Sequence, residues 1–255
     1  MIESTQNDKI KWLNRLSTDN RFRKKSNLFV VEGVQENERA IKFGYEATDF
    51  FICSTIFSQE KPDAKIHEVS EAIYNKIAYR KNVEGIIGVY KTKNHSIEEN
   101  KITENASIIV IEGIEKPGNL GAILRSCEAF AINTLMICDA KTDIYNPNVI
   151  RSSVGCLFGM NIINTTNEKA LRFFQEQEIP IFTTYMSGDA KAIHTTDFKE
   201  KFALIFGTEH SGITDFWLQH SENIIIPMYG TIDSLNLSNA VAISCYEIAK
   251  QRNDK

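Results

Sequence analysis

Apolar runs of strand length, separated by segments with helical patterning, constrain this chain more than any other feature of its sequence. FALIFG (202–207) and NIIIPM (223–228) are continuously apolar and bounded by turn signals. Such runs mark strands buried on both faces of a mostly parallel sheet. SIIVIEGI (107–114), TLMICDA (134–140) and IPIFTTY (179–185) read as further strands. Between them the period changes. A helix is expected from about Leu120 to Phe130, after a loop EKPGN, because Leu120, Ile123, Leu124, Cys127 and Ala131 recur at helical spacing. NEKALRFFQEQE (167–178) is an amphipathic helix, and SNAVAISCYEIAKQ (238–251) is the last one, with Ser238 as its expected cap. Asn146–Pro147 looks like an N-cap followed by proline at the first helical position.

The first part of the chain alternates as well, on a smaller scale. KIKWLNRL, QENERAIKFG (stopped at Gly44) and SEAIYNKIA carry helical patterns, while NLFVVEG, TDFFICS and VEGIIGVYK read as strands. Between the two halves, KTKNHSIEENKITEN (91–105) is polar and lacks apolar periodicity, so it reads as a linker. The expected organisation is α/β throughout: a small domain over 1–95, a linker over 96–106 and a larger parallel-sheet domain over 107–255.

Charge and composition remove several function classes. With 29 basic and 33 acidic side chains the net charge is −4, which argues against non-specific duplex binding through a globally positive surface. The positive charge is local: residues 1–25 hold seven bases against three acids, densest at Arg21, Arg23, Lys24 and Lys25. No apolar run is long enough to span a bilayer, and the N-terminal residues MIESTQNDKIKW lack an apolar signal core, so a cytoplasmic protein is expected. Five widely spaced cysteines without C-x-x-C suit reduced thiols. Neither they nor the five histidines show metal-ligand spacing, and no metal is expected.

Three polar clusters sit at strand ends of the larger domain, where open α/β sheets bind ligands. KPGNLGAILRS (116–126) is neither G-x-G-x-x-G nor a P-loop. Its glycines open a helix whose free N–H groups suit an anion, and Arg125 offers a fork for phosphate. IFGTEHSGI (205–213) places Gly207 directly at a strand end. Its Glu209-His210-Ser211 run is no hydrolase triad, because triads assemble in space and no G-x-S-x-G elbow is present. IPMYGTIDSLNLSNAVAISCYE (226–247) interleaves Met228, Leu235 and Leu237 with Ser234, Asn236 and Ser238. That mixture suits a purine-bearing cofactor.

Taken together, Asn119, Gly121 and Arg125, then G-T-E-x-x-G at 207–212, then I-P-M-x-G…S-L-N-L-S-x-A at 226–240 resemble the three motifs of the SpoU (TrmH) family of RNA 2′-O-ribose methyltransferases. NPNVIRSSVGCLFGMNI (146–162) looks like that family's middle segment, and residues 9–91 resemble the ribosomal-protein-like substrate-binding domain that often precedes it. The resemblance implies a parallel sheet closed by a C-terminal trefoil knot, S-adenosylmethionine as cofactor and a homodimer. It implies that Gly207, Ile226, Met228 and Leu235 contact the cofactor, and that Asn119, Arg125, Glu209 and Asn236 form the polar catalytic region. The glycine usual after the motif's glutamate is His210 here, and the usual valine is Leu237. The implied substrate is a ribose 2′-hydroxyl in structured RNA, with ribosomal RNA favoured over transfer RNA because of the separate N-terminal domain. Methylation of a base, and an RNA-binding module without catalysis, are the alternatives. Arg21, Arg23, Lys24 and Lys25 are expected to contact RNA phosphates, and Ala240, Val241, Ile243 and Ile248 offer a dimer-packing face.

Overall fold

The structure, a computed structural model, describes residues 1–79, 82–99, 102–208 and 212–253. They form two compact units, one of Met1–Lys93 with Asp143–Gly159 and one of Asn94–Thr142 with Met160–Lys255. Elements are numbered along the chain.

The first unit contains α1 (Asp8–Thr18), α2 (Asn20–Ser26), β1 (Leu28–Glu32), α3 (Val34–Lys42), β2 (Ala47–Ile52), β3 (Lys65–Glu68), α4 (Glu71–Ile77) and β4 (Ile86–Lys91). Its four strands run β1-β4-β2-β3, antiparallel except for the parallel β2–β3 pair. Ile10, Leu13 and Leu16 of α1 repeat at helical spacing and are buried with Val30, Phe51, Ile73, Ile87 and Val89. Gly44 ends the α3 segment in a left-handed conformation (φ 70°), which glycine adopts without strain. Residues Asp143–Gly159, expected in the larger domain, pack here: α6 (Pro147–Ser152) lies against β1, and Tyr145 and Phe158 stack on Phe29 at 4.3 and 6.0 Å. Asn146 caps α6 as expected, its side chain accepting from Asn148 N–H at 2.8 Å, with Pro147 in the first turn.

The second unit holds β5 (Ser107–Glu112), α5 (Pro117–Ala129), β6 (Thr134–Cys138), β7 (Asn161–Thr165), α7 (Asn167–Glu176), β8 (Ile181–Thr184), β9 (Lys191–Ala192), β10 (Phe202–Phe206), α8 (Asp215–Leu218), β11 (Glu222–Ile225) and α9 (Leu237–Asn253). The sheet order is β7-β6-β5-β10-β8-β11-β9, and every pair is parallel. β5, β6 and β10 are buried at every residue, as strands covered on both faces must be. β11 differs: only Ile224 is buried, because Ile225 and Ile226 face a cavity. The polar 91–105 segment is no free tether, since Ile97 and Ile102 pack against the second unit's core and His95 accepts a backbone bond from Asn164.

Two helix starts differ from expectation. α5 begins at Pro117, not Leu120, because proline's missing N–H costs nothing at a helix start. Arg125 therefore lies eight residues in, about 12 Å along the axis at ~1.5 Å per residue, instead of one turn. Leu120, Ile123, Leu124 and Cys127 are fully buried, whereas Ala131 lies beyond the helix with φ 54°. At α9 the cap is Asn236 and not Ser238. Its Oδ1 accepts from Ser238 N–H at 2.9 Å, while its carbonyl accepts from Asn239 and Ala240.

Candidate active site

The C-terminal ends of β8, β10 and β11 converge with the start of α9 around one cavity of about 540 Å³. That volume lies within the ~300–1,000 Å³ typical of small-molecule sites, and the place is where parallel sheets present their strand ends. Gly207, Ile226, Met228 and Leu235 all line it, and so does Asn236. Four residues from two distant motifs thus share one wall.

Gly207 is required sterically. A Cβ there would fall onto the backbone of Gly212 and Ile213, because Thr208 and Gly212 pair through backbone hydrogen bonds at 2.9 and 3.2 Å and bring those residues alongside it. Gly212 itself adopts a left-handed conformation (φ 69°), which glycine takes without strain. The absent side chain leaves bare backbone at the cavity wall, open to close approach by a flat ligand.

The remaining lining divides by chemistry. Ile213, Ile225, Ile226, Met228, Leu235 and Leu237 form an apolar slot, while Thr184, Thr208, Ser234 and Asn236 carry the polar rim. Asn236 uses Oδ1 twice, accepting from Ser238 N–H and from Ser238 Oγ at 2.7 Å. Its Nδ2 amide is thereby oriented as the group left to donate. Thr184, Tyr185, Met186 and Lys116 line the cavity without having been singled out in sequence. The signal for the first three was the position of IPIFTTY: its end abuts two strand ends already identified as polar clusters.

Asn119 and Arg125 do not line the cavity, and Glu209 lies outside the described residues. Both Asn119 and Arg125 sit on α5, whose N-terminal flank, Lys116, reaches the cavity edge. The Arg125 side chain is exposed and makes no hydrogen bond or ion pair with another described residue.

In the first unit, the expectation for Arg23 is corrected. Its side chain is 3% exposed, pairs with Asp143 at 2.7 Å and donates to the carbonyls of Leu16 and Ser17 at 2.8 and 3.2 Å. A guanidinium so committed cannot reach an RNA phosphate. Arg21, Lys24 and Lys25 are exposed on the same helix, α2. The packing face expected on α9 is corrected as well: Val241 and Ile248 are buried within the subunit, and the exposed large hydrophobics of the helix are Ile243 and Tyr246, at 42% and 57%.

Among the described residues no His, Cys, Asp and Glu side chains group to hold a metal ion, and no helix is long and apolar enough to cross a membrane. The fold and site thus define a two-unit α/β protein whose parallel sheet carries a cofactor-sized pocket at its strand ends. Residues 106–246, more than half of the chain, match the SpoU rRNA methylase family, and residues 7–88 match the MRM3-like substrate binding domain. The chain belongs to the SpoU rRNA methylase family. Over 250 residues it is 26% identical to the 23S rRNA (guanosine(2553)-2′-O)-methyltransferase RlmP of Bacillus subtilis, covering 97% of this chain and 98% of that protein. A crystal structure of an RNA 2′-O ribose methyltransferase superposes with a TM-score of 0.86 at 32% identity, covering 98% of both chains. The SpoU methyltransferase AviRb from Streptomyces viridochromogenes, in complex with AdoMet, shares the fold with a TM-score of 0.88 at 20% identity, over 98% of this chain and 99% of that one.

Proposed function

We propose that this protein transfers a methyl group from S-adenosylmethionine to a ribose 2′-hydroxyl of ribosomal RNA, at a guanosine. The observation that carries the reading is the meeting of Gly207, Ile226, Met228 and Leu235 around one cavity of cofactor size. The site also fits the cofactor chemically: an apolar slot suits the adenine, bare backbone at Gly207 permits close approach, and hydroxyl and amide groups at the rim suit ribose and amino-acid moieties.

The cofactor, when bound, supplies a methyl group made electrophilic by its sulfonium. The protein's share is to position the nucleophile and remove its proton. Arg125, exposed and free of other partners among the described residues, holds the phosphate next to the target ribose through its bidentate fork. Its guanidinium is fully protonated and donor-only, with no lone pair to accept a proton, so the 2′-hydroxyl proton passes to that phosphate or to a water. Asn119, Asn236 and Glu209 orient the ribose and phosphate. Arg21, Lys24 and Lys25 supply phosphate contacts from the first unit. The protein acts as a homodimer that covers Ile243 and Tyr246, and it works in the cytoplasm, where its five free, buried cysteines stay reduced.

The test uses radiolabelled S-adenosylmethionine with ribosomal and transfer RNA, followed by nuclease digestion to place the label. Label on a ribose of ribosomal RNA is expected. Label on a base, or none on any RNA, overturns the reading. Arg125→Ala should bind cofactor normally and methylate at least ~100-fold more slowly, the scale of losing one group that stabilises developing charge. Wild-type turnover in that variant would remove Arg125 from the mechanism.

A further inference from the structure

Glu112, the last residue of β5, is 3% exposed and has no cation beside it among the described residues. Its carboxylate instead accepts three hydrogen bonds. Thr214 Oγ and Asn167 Nδ2 both donate to Oε1 at 2.7 Å, and Thr214 N–H donates to Oε2 at 3.2 Å. Asn167 in turn accepts from Trp217 Nε1 at 3.0 Å, and Trp217 is fully buried. The carboxylate thus ties the first residues of α7 and the approach to α8 to the end of β5.

Its position gives this network a use. Thr214 directly follows Gly212 and Ile213, both of which line the cofactor cavity. Gly207 and Thr208 follow β10 directly, so β10 fixes one side of the Thr208–Gly212 backbone pairing and Glu112, through Thr214, fixes the other. Gly113, next in sequence, leaves room on the same side: a Cβ there would crowd the Thr208 methyl at 2.9 Å. Burying an ionised carboxylate is costly unless donors satisfy it, and an acceptor-only group is the one that three convergent donors require. A glutamine would have to turn its NH₂ toward at least one of them.

We infer that Glu112 is a positioning residue for the cofactor pocket, holding Gly212 and Ile213 in place at the cavity wall through Thr214. This rests on the reading of the cavity as the S-adenosylmethionine site. Two measurements at a temperature where every variant is folded test it: S-adenosylmethionine affinity by calorimetry, and hydrogen exchange of the Gly212–Trp217 amides in the free protein. Glu112→Gln and Thr214→Val should each weaken cofactor affinity about tenfold, the usual scale for a lost hydrogen bond to a charged acceptor, and speed exchange. Thr214→Ser, which keeps the hydroxyl, should restore both. The pair Glu112→Gln/Thr214→Val should lose less than the product of the single effects, because the two act through one contact. Ser107→Ala is the control: it removes the Ser107–Asn133 bond at the far end of the same strand and should lower stability without changing affinity. The inference is overturned if Glu112→Gln binds cofactor as wild type does, or if Ser107→Ala weakens binding equally. A wild-type protein that binds no cofactor would instead overturn the function reading, and the exchange data would still decide whether Glu112 holds Gly212 and Ile213.

Discussion

Removing the Arg23 side chain should damage folding and leave RNA contacts alone, the reverse of what its place in a basic run suggests. In Arg23→Ala, Asp143 keeps one hydrogen bond, from Tyr145 N–H at 3.0 Å, but loses its cation while its side chain is only 8% exposed. The Leu16 and Ser17 carbonyls lose their donor at the same time. Breaking one side of a buried ion pair costs about 3–5 kcal/mol, and that is the expected destabilisation of the first unit. Arg23→Lys keeps the charge but cannot serve Asp143 and two carbonyls with one ammonium, so it should fall between. Arg23→Met with Asp143→Leu removes both charges and should recover at least half of the loss. The two tryptophans make the assay specific, because Trp12 lies in the first unit and Trp217 in the second. In a Trp217→Phe background, urea unfolding followed by the remaining fluorescence reports the first unit. Filter binding completes the test: Arg21, Lys24 and Lys25 to Ala should flatten the salt dependence of RNA affinity by up to ~0.7–0.9 per lost phosphate contact, whereas Arg23→Met/Asp143→Leu should leave the slope unchanged. A cost below about 1 kcal/mol for Arg23→Ala, or a reduced slope in the double variant, would refute the argument.

Other consequences are as direct. Gly207→Ala should abolish cofactor binding, because its Cβ meets the Gly212–Ile213 backbone; calorimetry showing near-normal affinity would mean the turn yields at no cost. Asn236→Asp keeps the cap on α9 and should leave stability near wild type while methylation falls, whereas Asn236→Ala should also lose ~1 kcal/mol of stability. Wild-type turnover in Asn236→Asp would confine Asn236 to the cap. The proposed dimer predicts that Ile243→Asp with Tyr246→Asp gives a monomer by light scattering while thermal unfolding of the subunit changes little; a dimer that persists would place the interface elsewhere, and a monomeric wild type would refute the dimer.

Periodicity determined much of this protein by itself. Five apolar runs became five of the seven strands of one parallel sheet, and the helical spacing of Leu120, Ile123, Leu124 and Cys127 marked the buried face of α5. These features are local: a strand covered on both faces, or a helix with one apolar stripe, writes its burial into neighbouring residues. Short glycine- and asparagine-bearing turns at strand ends carried the pocket for the same reason, since Gly207 and Asn236 answer to backbone needs within a few residues. Tertiary structure decided what depends on partners distant in sequence. Nothing in the run RFRKKS distinguishes Arg23 from its neighbours; its burial comes from Asp143, 120 residues away. Nothing in SIIVIEGI singles out Glu112, and only Thr214 and Asn167 converging on it reveal the acceptor it is. Residues Asp143–Gly159 lie between two stretches of the larger unit in sequence yet pack with the first, because Phe29 and β1 offer the aromatic and apolar surface that Tyr145 and Phe158 cover. Charge, unlike periodicity, carries no record of which partner will meet it.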